Sequence, residues 1–197
     1  MGIFLPGVPS LIMPDHPEIH HRRSIRLQPY DYAQAGAYFV TICTVGRACW
    51  LGEVVGGEMR LSALGQIVER EWLRTPTICP QVELDAYVIM PNHFHAVLLL
   101  TDVGAYCNTP LQHAPDTTQS LQSPSQTLGA IIRGFKGATT KQINLLRQTP
   151  GASFWQRNYY EHIIRDEHDL AEIRRYIEFN PGCWADDAEN PARQGAI

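Results

Sequence analysis

Two histidines separated by a single residue, His93 and His95, lie within the apolar run YVIMPNHFHAVLLL of residues 87–100. In an extended chain successive side chains point to opposite faces, so both imidazoles share one face and Phe94 takes the other. At roughly 7 Å between their Cβ atoms they can converge on one ion, and imidazole is the commonest protein metal ligand. The competing reading is a pair of core or edge histidines satisfied by backbone hydrogen bonds. Two ligands do not complete a site, so a third group must come from elsewhere in the chain.

The segment RRYIEFNP offers one. Tyr176 and Asn180 are four residues apart, hence neighbours on one helix face, beside the apolar stripe of Ile173 and Ile177. An asparagine carbonyl is a hard oxygen ligand suited to a divalent cation. A tyrosine hydroxyl beside a metal-bound phosphate can act as a nucleophile and form a covalent intermediate. Each residue also has a purely structural reading, Tyr176 as a core-edge aromatic and Asn180 as a helix cap ahead of Pro181.

The elements that must position these groups follow from periodicity and turn chemistry. AYFVTICTV (37–45) is β-branched and aromatic between two glycines and predicts a strand. LGEVVGGEMRLS carries a Gly-Gly step between short alternating runs and predicts a hairpin. Ser62–Thr75 places Leu64, Ile67, Val68 and Trp72 on one helical stripe, with Pro76 just beyond it. VELDAYVIM and HFHAVLLL predict an antiparallel pair joined around Pro91-Asn92. Thr127–Asn144 and the DEHDLAEIRRYIEFNP segment predict helices, and FWQRNYYEHIIR between them predicts a strand. Strands interleaved with helices suggest an α/β (α+β) sandwich with one helical face, and a ferredoxin-like antiparallel sheet is the natural candidate.

Composition sets outer bounds. The 197 residues suffice for one domain with a core, and no apolar run is long enough for a membrane helix. Residues 1–21 hold four prolines and suggest an extended arm. Residues 102–126 are rich in Ser, Thr, Gln and Pro and suggest a flexible insertion. A single domain is expected over 22–184, followed by a tail at 185–197. Five scattered cysteines without a C-x-x-C pair suit a reducing cytoplasm. The formal net charge of −4 disfavours a whole-surface nucleic-acid binder, so any such binding must rest on a local patch. Basic residues gather in HHRRSIRL (20–27) and along Arg133, Lys136, Lys141 and Arg147. A solvated face explains both groups equally well on charge alone.

Taken together, MPNHFH and the long run FWQRNYYEHIIRDEHDLAEIRRYIEFNP closely resemble the REP-associated tyrosine transposases, single-tyrosine members of the HUH (His-hydrophobic-His) endonuclease superfamily. RRSIRLQPYDYAQAGAYFVTICT resembles that family's opening strand, so the likeness spans roughly Arg22 to Trp184. The resemblance implies a ferredoxin-like core with the tyrosine helix packed near the histidine strand. It implies His93, His95 and Asn180 as metal ligands and Tyr176 as nucleophile, with Mg²⁺ or Mn²⁺ as the cation, although ligand type alone suggests zinc or another imidazole-loving metal. The implied reaction is cleavage and rejoining of single-stranded DNA near palindromic REP-type hairpins through a 5′-phosphotyrosine, with no nucleotide cofactor, no membrane partner and a monomer as the expected state.

DNA phosphates would fall to Arg22, Arg23, Arg26, Arg133, Lys136 and Lys141, with Trp155, Tyr159 and Tyr160 as candidate base-stacking rings. Arg157, Glu161, His162 and Arg165 belong to the same family run. A domesticated, non-cleaving DNA-binding protein of the same fold is the main alternative, and a metalloprotein without a DNA role is a third.

Overall fold

The computed structural model describes residues 35–101, 127–187 and 189–194. Arg22, Arg23 and Arg26, the 1–21 arm and the 102–126 insertion lie outside the described residues. In chain order come β1 (Gly36–Cys43), β2 (Gly52–Val55), β3 (Glu58–Leu61), α1 (Ala63–Leu73), the short α2 (Thr75–Ile78), β4 (Val82–Ile89) and β5 (His93–Leu100). They are followed by α3 (Leu128–Arg147), β6 (Tyr160–Ile164), α4 (Glu167–Phe179) and the short α5 (Pro191–Gln194).

Each boundary has a local cause. Gly56 and Gly57, with φ of 63° and 83°, supply the two left-handed positions that a tight β2–β3 hairpin requires. The Ser62 hydroxyl accepts from the Leu64 and Gly65 amides at 3.1 Å each and so caps α1, an arrangement worth about 1 kcal/mol. Thr127 caps α3 and Asp166 caps α4 in the same way. Pro181 ends α4 by removing the next amide donor, and the chain continues as a 3₁₀ turn over Pro181–Asp186.

Four strands form one antiparallel sheet in the order β4-β5-β1-β6, and β2-β3 stand apart as a ribbon. Counting only the sheet strands, this is the ferredoxin-like order, with the ribbon inserted after the first strand. Alternation sorts the side chains into two cores. Tyr38, Val40 and Ile42 of β1 and Phe94, Ala96 and Leu98 of β5 pack with Val68 and Trp72 of α1 and Ile132 and Phe135 of α3. Phe39 and Val97 pack on the other face with Leu170, Ile173 and Ile177 of α4. Helices therefore cover both faces, not one. The expectation of a single helical face failed because the amphipathic stripe of α4 shows that it packs without saying on which side.

The run from Phe154 is also less regular than a strand over FWQRNYYEHIIR. Only Tyr160–Ile164 joins the ladder, while Trp155 makes one isolated bridge to Thr44. Phe154 and Trp155 are both buried in the core beneath α3, with Trp155 fixed by its indole bond to Thr139 and not by a strand ladder. Beyond them Lys136 takes the carbonyls of Gln156 and Arg157 as acceptors.

Candidate functional site

His93 opens β5 and His95 follows on the same face, the face covered by α4. Their ring centroids are 4.5 Å apart. His93 is fully buried and His95 is 5% exposed. The β1–β5 register sets Cys43 beside His93 and Thr41 beside His95.

Asn92 fixes the state of His93. Its amide nitrogen donates to the carbonyls of Arg47 and Glu189, at 3.1 and 2.7 Å. Its side-chain oxygen is therefore the atom 2.8 Å from His93 Nδ1 and must accept from it. A neutral imidazole that donates through Nδ1 presents a bare lone pair at Nε2. That Nε2 is buried and has no hydrogen-bond partner. Burial holds the His93 pKa well below the ordinary histidine range, with the neighbouring His95 and Arg47 acting in the same direction. Burial pushes His95 down to about 3. Both rings are neutral at physiological pH, the form in which imidazole ligates metals.

The third and fourth groups come from α4. Asn180 caps its C-terminus, is 4% exposed, and its side-chain oxygen is a second buried acceptor without a partner. Tyr176 Oη lies 3.2 Å from His95 Nε2, while Thr41 Oγ1 lies 2.8 Å from His95 Nδ1. Phe39 sits between the two elements, stacked on the His95 ring and edge-on to the Tyr176 ring. Burial raises the Tyr176 pKa, the Asp187 carboxylate adds to this, and the Asn180 side chain pulls it down. From the C-terminal segment, Trp184 comes within 6.0 Å of the His93 ring. The Arg47–Glu189 ion pair ties the same segment to the turn after β1.

These residues fit a divalent cation. Two neutral imidazoles and an amide oxygen share one end of the sheet, and two buried acceptor atoms among them lack partners, a state that ordinarily costs about 1–3 kcal/mol each. Among the described residues no cluster of three His, Cys, Asp or Glu side chains forms. The set therefore lacks the third imidazole, thiolate or carboxylate with which proteins hold zinc tightly.

The other expected residues separate. Lys136, Lys141 and Arg157 line one cleft between α3 and the 151–157 segment. Arg133 is exposed on α3 outside it. Arg165 follows β6 at the sheet end opposite the histidines, since Ile164 pairs with Ala37 while Cys43 pairs with His93. Trp155 is 5% exposed, and its indole N–H donates to Thr139 Oγ1 at 2.8 Å. It is a core residue, and its ring cannot stack on a base. His162 bonds Asp169 at 2.8 Å and braces β6 against α4. Sequence reasoning missed Asn92, Thr41 and Asp187. Asn92 was within reach as the residue beside His93; the other two meet the site only through tertiary pairing.

A ferredoxin-like sheet bearing a His-x-His strand, with a tyrosine helix laid across that face, is the arrangement that the resemblance to the single-tyrosine transposases implies. The comparisons with known proteins agree. No protein-family profile matches the chain. A Haemophilus influenzae protein named "Uncharacterized protein" is 43% identical over 170 residues, covering 86% of this chain and 93% of the relative. A second H. influenzae protein, named "Putative REP-associated tyrosine transposase", is 31% identical over 154 residues, covering 77% of this chain and 73% of the relative. A solved structure described as a REP-associated tyrosine transposase bound to a REP hairpin shares the fold, with a TM-score of 0.55 at 20% identity over 80% of this chain and 73% of that one. The chain belongs to the REP-associated tyrosine transposase family. No helix among the described residues is long and apolar enough to cross a membrane.

Proposed function

We propose that this chain is a metal-dependent single-strand DNA endonuclease and strand transferase that cleaves beside palindromic hairpins through Tyr176. The observation that supports this reading is the approach of the Tyr176 hydroxyl to 3.2 Å from His95 Nε2, with His93 beside His95 and Asn180 one helical turn beyond Tyr176. Hairpin DNA as substrate rests on the description of the structural neighbour.

His93 Nε2, His95 Nε2 and Asn180 Oδ1 would hold the cation, Mg²⁺ or Mn²⁺. When bound it supplies charge stabilisation at the scissile phosphate. Asn92 and Thr41 hold the two rings in orientation through their Nδ1 atoms. Tyr176 Oη attacks phosphorus, the new Tyr–O–P bond replaces the bond to the 3′ oxygen, and the proton lost by the phenol balances the one gained by the released 3′-hydroxyl. The phosphotyrosine conserves the bond energy, so another 3′ end can reverse the step without a nucleotide. The packing of α4 on the sheet of its own chain lets Tyr176 reach His95 in cis, and a monomer is the state we propose with that geometry.

The test is a covalent-adduct assay with hairpin oligonucleotides from the DNA flanking the gene, in Mg²⁺ or Mn²⁺. A protease-sensitive shifted band, absent with Tyr176→Phe or with chelator, is the expected result. Hairpin binding with no adduct under any metal would sink the cleavage reading and favour a non-cleaving binder.

A further inference from the structure

Beside the site lies a cleft of about 480 Å³ between α3 and the 151–157 segment. Its wall continues into the catalytic end of the sheet: the Gln156 amide donates to the Cys43 carbonyl at 2.9 Å, and Cys43 is the register partner of His93. Lys136, Lys141 and Arg157 line it, together with Thr140 and Ser153, and no acidic residue does.

Lys136 is the unusual member. Its ammonium is half-buried and held by two main-chain carbonyls, Gln156 at 2.5 Å and Arg157 at 3.1 Å. No carboxylate pairs with Lys136, Lys141 or Arg157 among the described residues. A partly desolvated cation is ordinarily offset by an opposite charge. Here two carbonyl dipoles fix its position and the charge is left for a ligand, with one N–H of the ammonium uncommitted.

The wall is also open to solvent at two glycines. A Cβ built on Gly137 or on Gly151 meets nothing within 4 Å. The aromatic residues of the cleft are unavailable for stacking, since Phe154 is 1% and Trp155 5% exposed. Sites for unpaired strands combine cations with exposed rings. This cleft has the cations without the rings, which suits a backbone whose bases are turned inward and paired. Exposed aromatics occur instead on α4, where Tyr176 is 37% and Phe179 58% exposed.

We propose that the α3 cleft is a phosphodiester site, organised around Lys136, that grips the backbone of the paired stem while the unpaired strand passes Tyr176. The proposal rests on the reading of hairpin DNA as substrate.

The test compares a hairpin oligonucleotide with the same strand lacking one arm of the stem, in wild type, in Lys141→Ala/Arg157→Ala, and in Gly137→Glu. The first variant removes two exposed cations. The second places an acid in open space on the helix without disturbing packing. The expected result is a fall of tenfold or more in the ratio of hairpin to stem-less affinity for both. For the alanine pair, the salt slope for the hairpin should shrink by about 1.8, from about 0.9 per phosphate contact. Equal weakening of both oligonucleotides would mean that the cleft takes the unpaired strand, and an unchanged ratio, or a wild type that does not prefer the hairpin, would mean that it takes no DNA stem; each overturns the proposal. Adduct formation on the same samples separates the two readings. Stem-dependent binding without adduct sinks the catalytic reading alone, and adduct with an unchanged ratio sinks the stem site alone.

Discussion

The Tyr176 hydroxyl meets Nε2 of His95 at 3.2 Å although the two residues are 81 positions apart in the chain. The contact joins α4 to a central strand across Phe39. If the tyrosine acts in cis, a mixture of the Tyr176→Phe and His95→Ala proteins forms no adduct. A band from the mixture, absent with either protein alone, would show that the tyrosine is exchanged between subunits. Tyr176→Phe should also unfold about 1–3 kcal/mol more easily, because it leaves His95 Nε2 buried without a partner. Urea midpoints measure this.

Asn180 separates stability from function. Its side-chain oxygen is buried and lacks a partner in the metal-free fold, so it contributes desolvation cost with no compensating bond. In chelator, Asn180→Ala should therefore melt close to the wild-type temperature, because relief of the buried oxygen offsets the side-chain bond lost to Tyr176. The wild type should gain stability with increasing Mn²⁺ because the ion binds only the folded state. The variant should lose most of that gain. A metal-dependent shift of equal size in both proteins would remove Asn180 from the ligand set.

The two buried imidazoles make the metal-free protein acid-sensitive. Burial lowers both folded-state pKa values, His95 to about 3. Below the unfolded-state value near 6.5, the unfolded chain binds protons that the folded chain refuses, so stability falls as pH falls from about 6.5 toward 3 and is flat above it. At about 1.4 kcal/mol per pH unit, going from pH 7 to pH 5 should cost about 2 kcal/mol through His95, with His93 adding to the loss in the same direction. Urea midpoints in chelator at the two pH values test it, with His93→Gln/His95→Gln expected to flatten the difference. Equal midpoints for the wild type would contradict the burial argument.

The orientation of α4 depends on a second pair. Arg174 grips Asp85 of β4 through two bonds, at 2.8 and 2.5 Å, on the flank of the helix away from Tyr176. The guanidinium holds the Asp85 carboxyl below the usual carboxylate range. An exposed pair of this kind contributes little to global stability. Its loss should instead let the helix shift, and catalytic geometry tolerates little shift. Asp85→Asn should thus lower the adduct rate with DNA affinity and melting temperature nearly unchanged, and the charge-swapped Asp85→Arg/Arg174→Asp protein should recover part of the rate. A rate loss matched by lost affinity would assign the pair to DNA binding.

Much of this arrangement is legible in the sequence because it is written in short-range terms. The Gly56-Gly57 turn, the Pro91-Asn92 reversal and the alternation through His93, Phe94 and His95 each follow from one or two residues. The proximity of Tyr176 to the histidines entered through the family resemblance and not through periodicity. What escaped depends on long-range pairing. Thr41 reaches His95 only because β1 and β5 pair in one particular register. The side of the sheet taken by α4 depends on which strand faces are already filled by α1 and α3. Trp155 is open in the sequence to two readings, a packed strand residue or a base-stacking ring, and only the Thr139 hydroxyl on α3, which satisfies its one polar atom inside the core, decides between them.

Alternation along β5 also predicts that folding and chemistry can be perturbed separately. Phe94 is fully buried and packs edge-on against Trp72 at 5.0 Å between centroids, on the face opposite His93 and His95. Phe94→Ala removes a ring from the larger core and should lower stability by about 3–5 kcal/mol, a large share of what a domain of this size possesses. The site residues keep their partners on the other face, so the adduct rate per folded molecule should stay within about twofold of wild type. The measurement pairs urea denaturation with single-turnover adduct kinetics at a temperature where the variant is folded. A rate loss of tenfold or more in folded protein would mean that strain crosses the sheet, and the two faces would then have to be treated as one mechanical unit.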